Sequence, residues 1–527
     1  MSTQKFIARN SIIVAIIIGI STVLGLIRES SIAYMFGASR TTDAYLVSSI
    51  IPTFFSNTLS GSLTSTFITI YAGYMAKGEE EKAWRTTNVI FSFLILILGI
   101  VGIIFFVFTP TLVHLVAPSY SGSRLNLTVA LTRIMLPNLF FGGLLGIMVG
   151  INYTHHSFFA PAANGLISNV LVIGSILTLG WVWGIYGLAA GAALGVFGQF
   201  LLQLFSARKH GFYYRFLLDW GDPGVKEIFV LVTPFVVSAM VSQVNLIIDR
   251  TLATGLTAGR VSALFFASKL VLLPQLIFTG SVSMVLYPLL LNAAALNDWP
   301  RLVEGLNRGL RLLLLVIVPS IVWIFVLRVP LVQVLFQHGV FNSEDTRVTA
   351  ETIPYLIGVL FTGSMVGILV NVYFALKKMV VAVGTGIIAL GANILLSLIL
   401  IRFFQQRGLA LANSISGLIN LTLLFLGFVI ILKIPQKAHF PVRIFVLFFI
   451  QVVASGGAMG VMVYIFYNSF IERWIGFSGL LLHMGLSILV GLAIYLTLLY
   501  TLRLEEARKG VLWVKEKIRR KFGYIVK

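Results

Sequence analysis

Apolar residues run in long stretches along this chain, and charged or turn-forming residues come between them. About 20 consecutive apolar residues suffice for a helix to cross the hydrocarbon of a bilayer. Fourteen segments of that order can be marked: 10–36, 43–75, 87–116, 126–152, 159–183, 185–207, 224–254, 259–292, 309–336, 348–376, 379–403, 408–433, 442–468 and 475–502. Between 159 and 207 the only punctuation is Gly184 and Gly187. The pattern predicts an all-α integral membrane protein of about fourteen transmembrane helices. The opening MSTQKFIARN runs into the first apolar stretch with no small-residue cleavage site, so that stretch reads as a retained span and not a signal peptide.

The segments repeat. Arg28 precedes Pro52 by the same 24 positions that separate Arg250 from Pro274, an offset of 222 between the pairs. Gly61-Ser62-Leu63-Thr64 is echoed by Gly280-Ser281-Val282-Ser283 at an offset of 219, and GIMVGINY from Gly146 by GILVNVYF from Gly367 at 221. A unit of about 220 residues holds six spans, an even number, so both copies enter the membrane the same way. Parallel repeats of this kind are related by an axis along the membrane normal, with substrate held between the halves. The expected organisation is two pseudo-symmetric six-helix lobes, 1–222 and 223–440, two extra C-terminal helices over 441–502, and a tail over 503–527. In that tail Leu504, Ala507, Val511, Val514, Ile518 and Phe522 recur at helical spacing among Lys and Arg, as in a basic amphipathic helix on an anionic leaflet.

Charge fixes an orientation. With the N-terminus placed in the cytoplasm, the loops and termini on that side carry 26 Lys and Arg and the opposite side carries 7. The positive-inside rule then puts both termini in the cytoplasm. The net charge of +20 needs no nucleic acid to explain it. Hydrophobic residues make up 58% of the 527 and charged residues 11%, which excludes a soluble globular enzyme, a disordered chain and a collagen-like rod. With no cysteine, disulfides, thiol catalysis and thiolate metal sites are excluded too. The sequence has no Walker A loop, no HExxH and no pair of carboxylates within a span, so it predicts neither an enzyme nor a metal site. His155-His156 reads as a solvated turn.

A few charges fall inside the spans: Arg28 with Glu29, Arg133, Asp249 with Arg250, Lys269 and, nearer an end, Arg328. Such charges face a cavity or a partner, because hydrocarbon solvates them poorly. Arg28 and Arg250 are repeat equivalents. Cations from both lobes facing one cavity suit an anion, and a diphosphate best, since a guanidinium grips phosphate oxygens with two parallel hydrogen bonds. The competing reading is local: Arg28 satisfying Glu29 or Asp43, Arg250 snorkelling from a helix end. Pro52 and Pro274, with Gly61 and Gly280, are the candidate hinges. The small-residue run from Ser56 to Ser62 either lines a polar passage or allows close helix contact. Asp249 and Asn393 are candidates for a monovalent cation site.

Three stretches carry a family resemblance: VLGLIRESSIAYMFGASRTTDAYLVSSIIP (23–52), DRTLATGLTAGRVSALFFASKLVLLP (249–274) and LFQHGVFNSEDTRVTAETIPYLIGV (335–359). With these the chain resembles the MurJ/MviN family of the MOP exporter superfamily over nearly its whole length. The resemblance implies a lipid II flippase of the bacterial cytoplasmic membrane, working by alternating access on a polyprenyl-diphosphate-linked precursor of peptidoglycan. It implies no cofactor, with the membrane potential or a monovalent cation as driving force, and a monomer whose partners are its lipid-linked substrate and membrane lipids. Arg28 matches a cavity arginine of the family and Asp43 a cavity acid that orients or gates. Lys269 stands where the family has arginine, and Thr22 and Ser56 stand where two more arginines are usual. The last two helices would form a groove for the lipid tail. The alternatives are a MOP exporter of another polyprenyl-diphosphate oligosaccharide or of a drug, and a membrane glycosyltransferase.

Overall fold

A computed structural model describes residues 3–430, 440–470, 476–504 and 506. The tail expected over 503–527 lies outside the described residues except for 503, 504 and 506. Among the described residues every regular element is a helix, and the chain divides into two compact units.

The first unit runs to Ser262 and is joined by Phe336–Asp345. Its helices are α1 (Thr3–Phe36), α2 (Arg40–Ser48), α3 (Ile50–Ala76), α4 (Glu80–Val107), α5 (Thr109–Val116), α6 (Gly122–Met135), α7 (Pro137–Thr154), α8 (Phe159–Ala162), α9 (Asn164–Leu177), α10 (Leu179–Trp183), α11 (Ile185–Lys209) and α12 (Pro223–Ala253). Its core gathers Phe67, Tyr71, Ile90, Ile147 and Ile151. The returning segment is pinned by the Val340 N–H, which donates to the Tyr34 carbonyl at 2.9 Å. The second unit holds Ala263–Leu335 and the described residues from Thr346 onward. It contains most of α13 (Arg260–Pro274), then a π-helical turn at Gln275–Thr279, α14 (Gly280–Ala295), α15 (Trp299–Val326), α16 (Arg328–Phe336), α17 (Ser343–Ala375), α18 (Met379–Phe404), α19 (Gln406–Ile430), α20 (Val442–Phe470) and α21 (Gly476–Thr501). Leu306, Ile368, Tyr373, Phe428 and Tyr495 form its core. The two helices outside the repeat are built into this unit, with Tyr495 Oη donating to the Leu315 carbonyl at 3.0 Å.

Eleven helical stretches among the described residues are long and apolar enough to cross a membrane. The chain is thus a multi-pass membrane protein, but this set falls three short of the fourteen expected spans. The segment 43–75 is split at Ser49 into α2 and α3 and is rich in Ser and Thr. Segment 159–183 is broken into α8, α9 and α10, of which α9 has only 14 residues. Segment 224–254 is one helix, α12, loaded with Lys226, Glu227, Gln243, Asn245, Asp249 and Arg250.

The repeat is written into the backbone of the chain. Left-handed residues recur at Gly37 and Gly259 (offset 222), Gly78 and Asn297 (219), His156 and Lys377 (221), and Gly184 and Gln405 (221). Outside glycine such a conformation costs roughly 1–2 kcal/mol, so its recurrence at matched positions is imposed by the chain path. Asn152 Nδ2 donates to the Gln203 carbonyl at 3.1 Å, tying α7 to α11. At an offset of 221, Tyr373 Oη donates to the Leu424 carbonyl at 2.7 Å and ties α17 to α19.

A small-residue seam brings α3 and α7 together. Gly142, Gly146 and Gly150, four residues apart, share one face of α7, and a Cβ on each would run into Ser56, Ser60 and Phe67 respectively. In the second unit Gly363 and Gly367 approach Gln275 and Thr279 in the same way, and Asn371 Nδ2 donates to Ser283 Oγ at 3.0 Å. The neighbours differ in stiffness. A Cβ at Gly146 would lie 2.7 Å from the backbone oxygen of Ser60, whereas one at Gly367 would lie 3.0 Å from the Thr279 side-chain methyl. Gly146→Ala is therefore expected to lower the thermal midpoint of the purified protein, through overpacking worth about 1–3 kcal/mol. Gly367→Ala should lower it less, and equal midpoints would contradict the seam.

Candidate functional site

The expected site cations of the first unit converge on the end of α2. Helix α1 carries Arg28 and Glu29. Small residues let it lie close to α9: a Cβ at Gly165 would meet Ser21 Oγ, and one at Gly25 would lie 3.6 Å from Asn169 Nδ2. Asn169 Nδ2 donates to the Ser21 carbonyl at 2.9 Å, which turns its Oδ1 toward Arg28 Nη1, 3.0 Å away. Arg28 Nη2 pairs with Glu29 Oε1 at 2.5 Å. The guanidinium is thus gripped from two sides, yet 27% of the side chain stays exposed.

Arg250 reaches the same place from α12. Pro52 lies in the first turn of α3, where its missing N–H is no loss, and the break at Ser49 leaves carbonyls at the end of α2 without helical partners. Arg250 Nη1 caps one of them, donating to the Leu46 carbonyl at 3.3 Å, and lies 3.5 Å from Ser49 Oγ. Buried Tyr45 feels the charges of Arg28, Glu29 and Arg250 together. Two guanidiniums, a carboxylate and a phenol therefore lie within electrostatic reach of one another.

Asp43 is the hub of a second cluster. Its side chain is fully buried. Oδ1 accepts from the Ser262 N–H (2.8 Å) and Ser262 Oγ (2.5 Å), and Oδ2 accepts from the Gly259 N–H (2.7 Å) and Arg124 Nη2 (3.0 Å). Arg124 in turn lies over the Tyr120 ring at 3.8 Å. The carboxylate ties α2 to the start of α13 and to α6.

The other expected residues fall in several places. Lys269 belongs to the second unit, with its Nζ 5.1 Å from the Phe265 ring centroid. Ser56 faces Gly142 in the α3–α7 seam, so of the two readings of the small-residue run, close helix contact is the one observed there. Pro274 is followed by the π-helical turn, a local unwinding that has no counterpart at Pro52. Gly61 and Gly280 both have open space where a side chain would sit. Asp249 is buried in the first unit, and Asn393 is buried in the second, donating to Asn413 Oδ1 at 3.1 Å and Ser416 Oγ at 3.3 Å. Among the described residues no three His, Cys, Asp or Glu group as metal ligands would.

Arg133 and Arg328 close helix ends: Arg133 donates to the Phe106 carbonyl at 3.3 Å, and Arg328 to the Phe325 carbonyl at 2.7 Å. Those two carbonyls are repeat equivalents at an offset of 219, which suits a cation at a helix C-terminus. His155 departs from its expected solvated turn. Its ring stacks between those of Trp84 (5.9 Å) and His210 (4.8 Å), and its Nε2 lies 2.9 Å from Tyr71 Oη. Burial, aided by the neighbouring His210, holds its pKa below the usual histidine range.

Asn169, Tyr45, Arg124 and Ser262 belong to these clusters although no motif marks them. Only Asn169 carried a local signal, as an amide inside the apolar stretch of α9.

The second unit contains an apolar groove. A cavity of about 320 Å³ is walled by Leu310 and Leu314 of α15, Phe361 and Met365 of α17, Phe425 of α19 and Phe445 of α20. A second cavity of about 290 Å³ shares Phe361 and Phe449 with it and continues along Val318, Val322 and Val453. Thr422 is the one polar residue on either wall.

A helical membrane protein with two repeated halves, guanidiniums inside its spans and an apolar groove has the architecture of a membrane transporter. The chain belongs to the lipid II flippase MurJ family, whose model matches residues 32–485. The probable lipid II flippase MurJ of Vibrio cholerae is 27% identical over 446 residues, covering 81% of this chain and 84% of that protein. Among solved structures, a lipid II flippase MurJ in an inward closed conformation superposes with a TM-score of 0.78 at 24% identity, over 94% of this chain and all of the other. An inward-facing multidrug resistance MATE transporter of the MOP superfamily superposes with a TM-score of 0.66 at 15% identity, over 78% of this chain and 96% of its own.

Proposed function

We propose that this protein is a lipid II flippase of the bacterial cytoplasmic membrane, carrying undecaprenyl-diphosphate-linked peptidoglycan precursor between leaflets by alternating access. Both termini lie in the cytoplasm, as the loop charges favour, and the protein acts as a monomer. Arg28 grips the diphosphate with the donor directions left over from Asn169 and Glu29, and Arg250 and Lys269 add positive charge. Asp43 serves as a latch between α2 and the start of α13. The membrane potential acts on the anionic head group at about 2.3 kcal/mol per charge per 100 mV. A monovalent cation bound near Asp249 or Asn393 is a second source of drive.

The observation that carries this reading is the apolar groove, walled in part by α20 from outside the repeat. The walls carry a single polar residue, Thr422, and against such a surface a polyprenyl chain gains about 0.8 kcal/mol for each methylene it buries. Filling the groove with Leu314→Trp should therefore weaken binding of full-length lipid II about tenfold for every two methylenes kept out. Binding of a short-chain analogue with the same head group should not change. Equal affinities of wild type and variant for the full-length lipid would remove the groove from the mechanism.

A further inference from the structure

The connection between α11 and α12 is an extended strap laid along α4. Helix α4 holds its backbone through side chains one turn apart: Asn88 Oδ1 accepts the Arg215 N–H at 2.8 Å, and Ser92 Oγ accepts the Leu217 N–H at 3.1 Å. Tyr214 Oη lies 3.2 Å from Ser92 Oγ. At its two ends Phe212 packs on Phe91, with centroids 5.7 Å apart, and Trp220 on Phe93 at 4.8 Å. Two buried polar side chains of a spanning helix are thus committed to a segment with no regular structure.

The outer face of the strap is apolar and open. Tyr213, Phe216, Leu218 and Trp220 are each half or more exposed. Arg208, Lys209, Arg215 and Lys226 are exposed around them. The acids of the stretch are mostly engaged: Asp219 pairs with Arg85 at 2.9 Å, and Asp222 accepts from Thr86 Oγ1 at 3.1 Å while capping α12. Glu227 remains exposed. The Gly221 N–H and Arg85 hold the Asp219 carboxyl below its usual range, so its ion pair persists.

The level of the strap follows from helix length. Helix α4 has 28 residues, about 42 Å at 1.5 Å each, so it overshoots a ~30 Å hydrocarbon core. Asn88 lies eight residues past its start at Glu80, roughly 12 Å along the axis, which is where aromatic side chains collect at membrane interfaces.

We propose that residues 212–220 form an interfacial strap that seats on anionic phospholipid head groups, with Tyr213, Phe216, Leu218 and Trp220 entering the boundary of the acyl chains and Arg208, Lys209, Arg215 and Lys226 meeting the phosphates. This contact is separate from the transport path. The chain lacks cysteine, so single-cysteine spin labels at Phe216 and Leu218 report depth directly in nanodiscs. The labels are expected to collide with oxygen more often than with a water-soluble nickel chelate. Labels freely reached by the chelate, as on a face kept for a soluble partner, would overturn the proposal. In parallel, phosphatidylglycerol nanodiscs should raise the thermal midpoint over phosphatidylcholine nanodiscs. Each of R208Q, K209Q, R215Q and K226Q should weaken retention of the anionic lipid about fivefold, and all four together should erase the gain. A gain that survives all four changes would also overturn it. Neither readout depends on flipping, so failure here leaves the proposed transport function to its own tests.

Discussion

Replacing Arg28 with alanine is expected to abolish transport while the protein remains folded and inserted. The guanidinium is held by Asn169 Oδ1 at 3.0 Å and by Glu29 Oε1 at 2.5 Å, with 27% of the side chain left exposed. A pre-oriented donor of this kind binds phosphate oxygens without first losing rotamer freedom. Each charge-assisted hydrogen bond is worth about 1.5–3 kcal/mol, so losing a bidentate contact should weaken diphosphate binding by roughly a hundredfold or more. Arg28→Lys keeps the charge, but the three donors of an ammonium cannot serve Asn169, Glu29 and two phosphate oxygens at once, so it should fall between wild type and alanine. Asn169→Ala leaves the charge and loses only its aim, so its defect should be nearer tenfold. The measurements are growth of a strain depleted of its lipid II flippase and movement of fluorescent lipid II in vesicles. Normal growth and normal rates with Arg28→Ala would remove the guanidinium from the transport path.

What the sequence could disclose is what depends on local spacing. The landmarks Arg28 and Pro52 against Arg250 and Pro274 set an offset of 222, and the left-handed residues Gly37 and Gly259 stand at that same offset. A helix keeps its register over many turns, so a repeat in sequence becomes a repeat in turn geometry. The split of 43–75 was legible only in part. Pro52 marked a distortion, but the break comes three residues earlier at Ser49, because proline is tolerated in a first turn and the strain moves upstream. Pairings across long separations left no trace. Nothing near Arg124 in the sequence marks it, yet it meets Asp43 across 81 positions. Ser262 joins the same carboxylate across 219. Periodicity says which face of a helix is apolar and is silent on which distant polar residue that face will meet. Ser56 shows the reverse case: its chemistry allowed a polar passage or a close helix contact, and its neighbour Gly142 makes it a packing residue.

Asp43→Asn should produce the largest structural effect of any single change at the two charged clusters. The carboxylate takes four hydrogen bonds, from Ser262 (two), Gly259 and Arg124, and every one comes from a donor. An asparagine of the same size presents an NH₂ group to at least two of them, so donor faces donor in a site with no water access. Breaking one partner of a buried charge pair costs about 3–5 kcal/mol, and here Arg124 also loses its counter-ion. The effect should be local before it is global. The Gly259 and Ser262 amides, now protected by the carboxylate, should exchange with solvent deuterium about a hundredfold faster, the factor that corresponds to roughly 3 kcal/mol. Amides in the α7–α11 seam near Asn152 should keep their wild-type rates. Because the latch fastens α2 to the start of α13, its release should also change the rate of lipid II transport without changing equilibrium affinity for a short-chain analogue, which separates gating from binding. Unchanged exchange at both amides would mean that the segment is held by its own backbone contacts, and Asp43 would then have no latch to release.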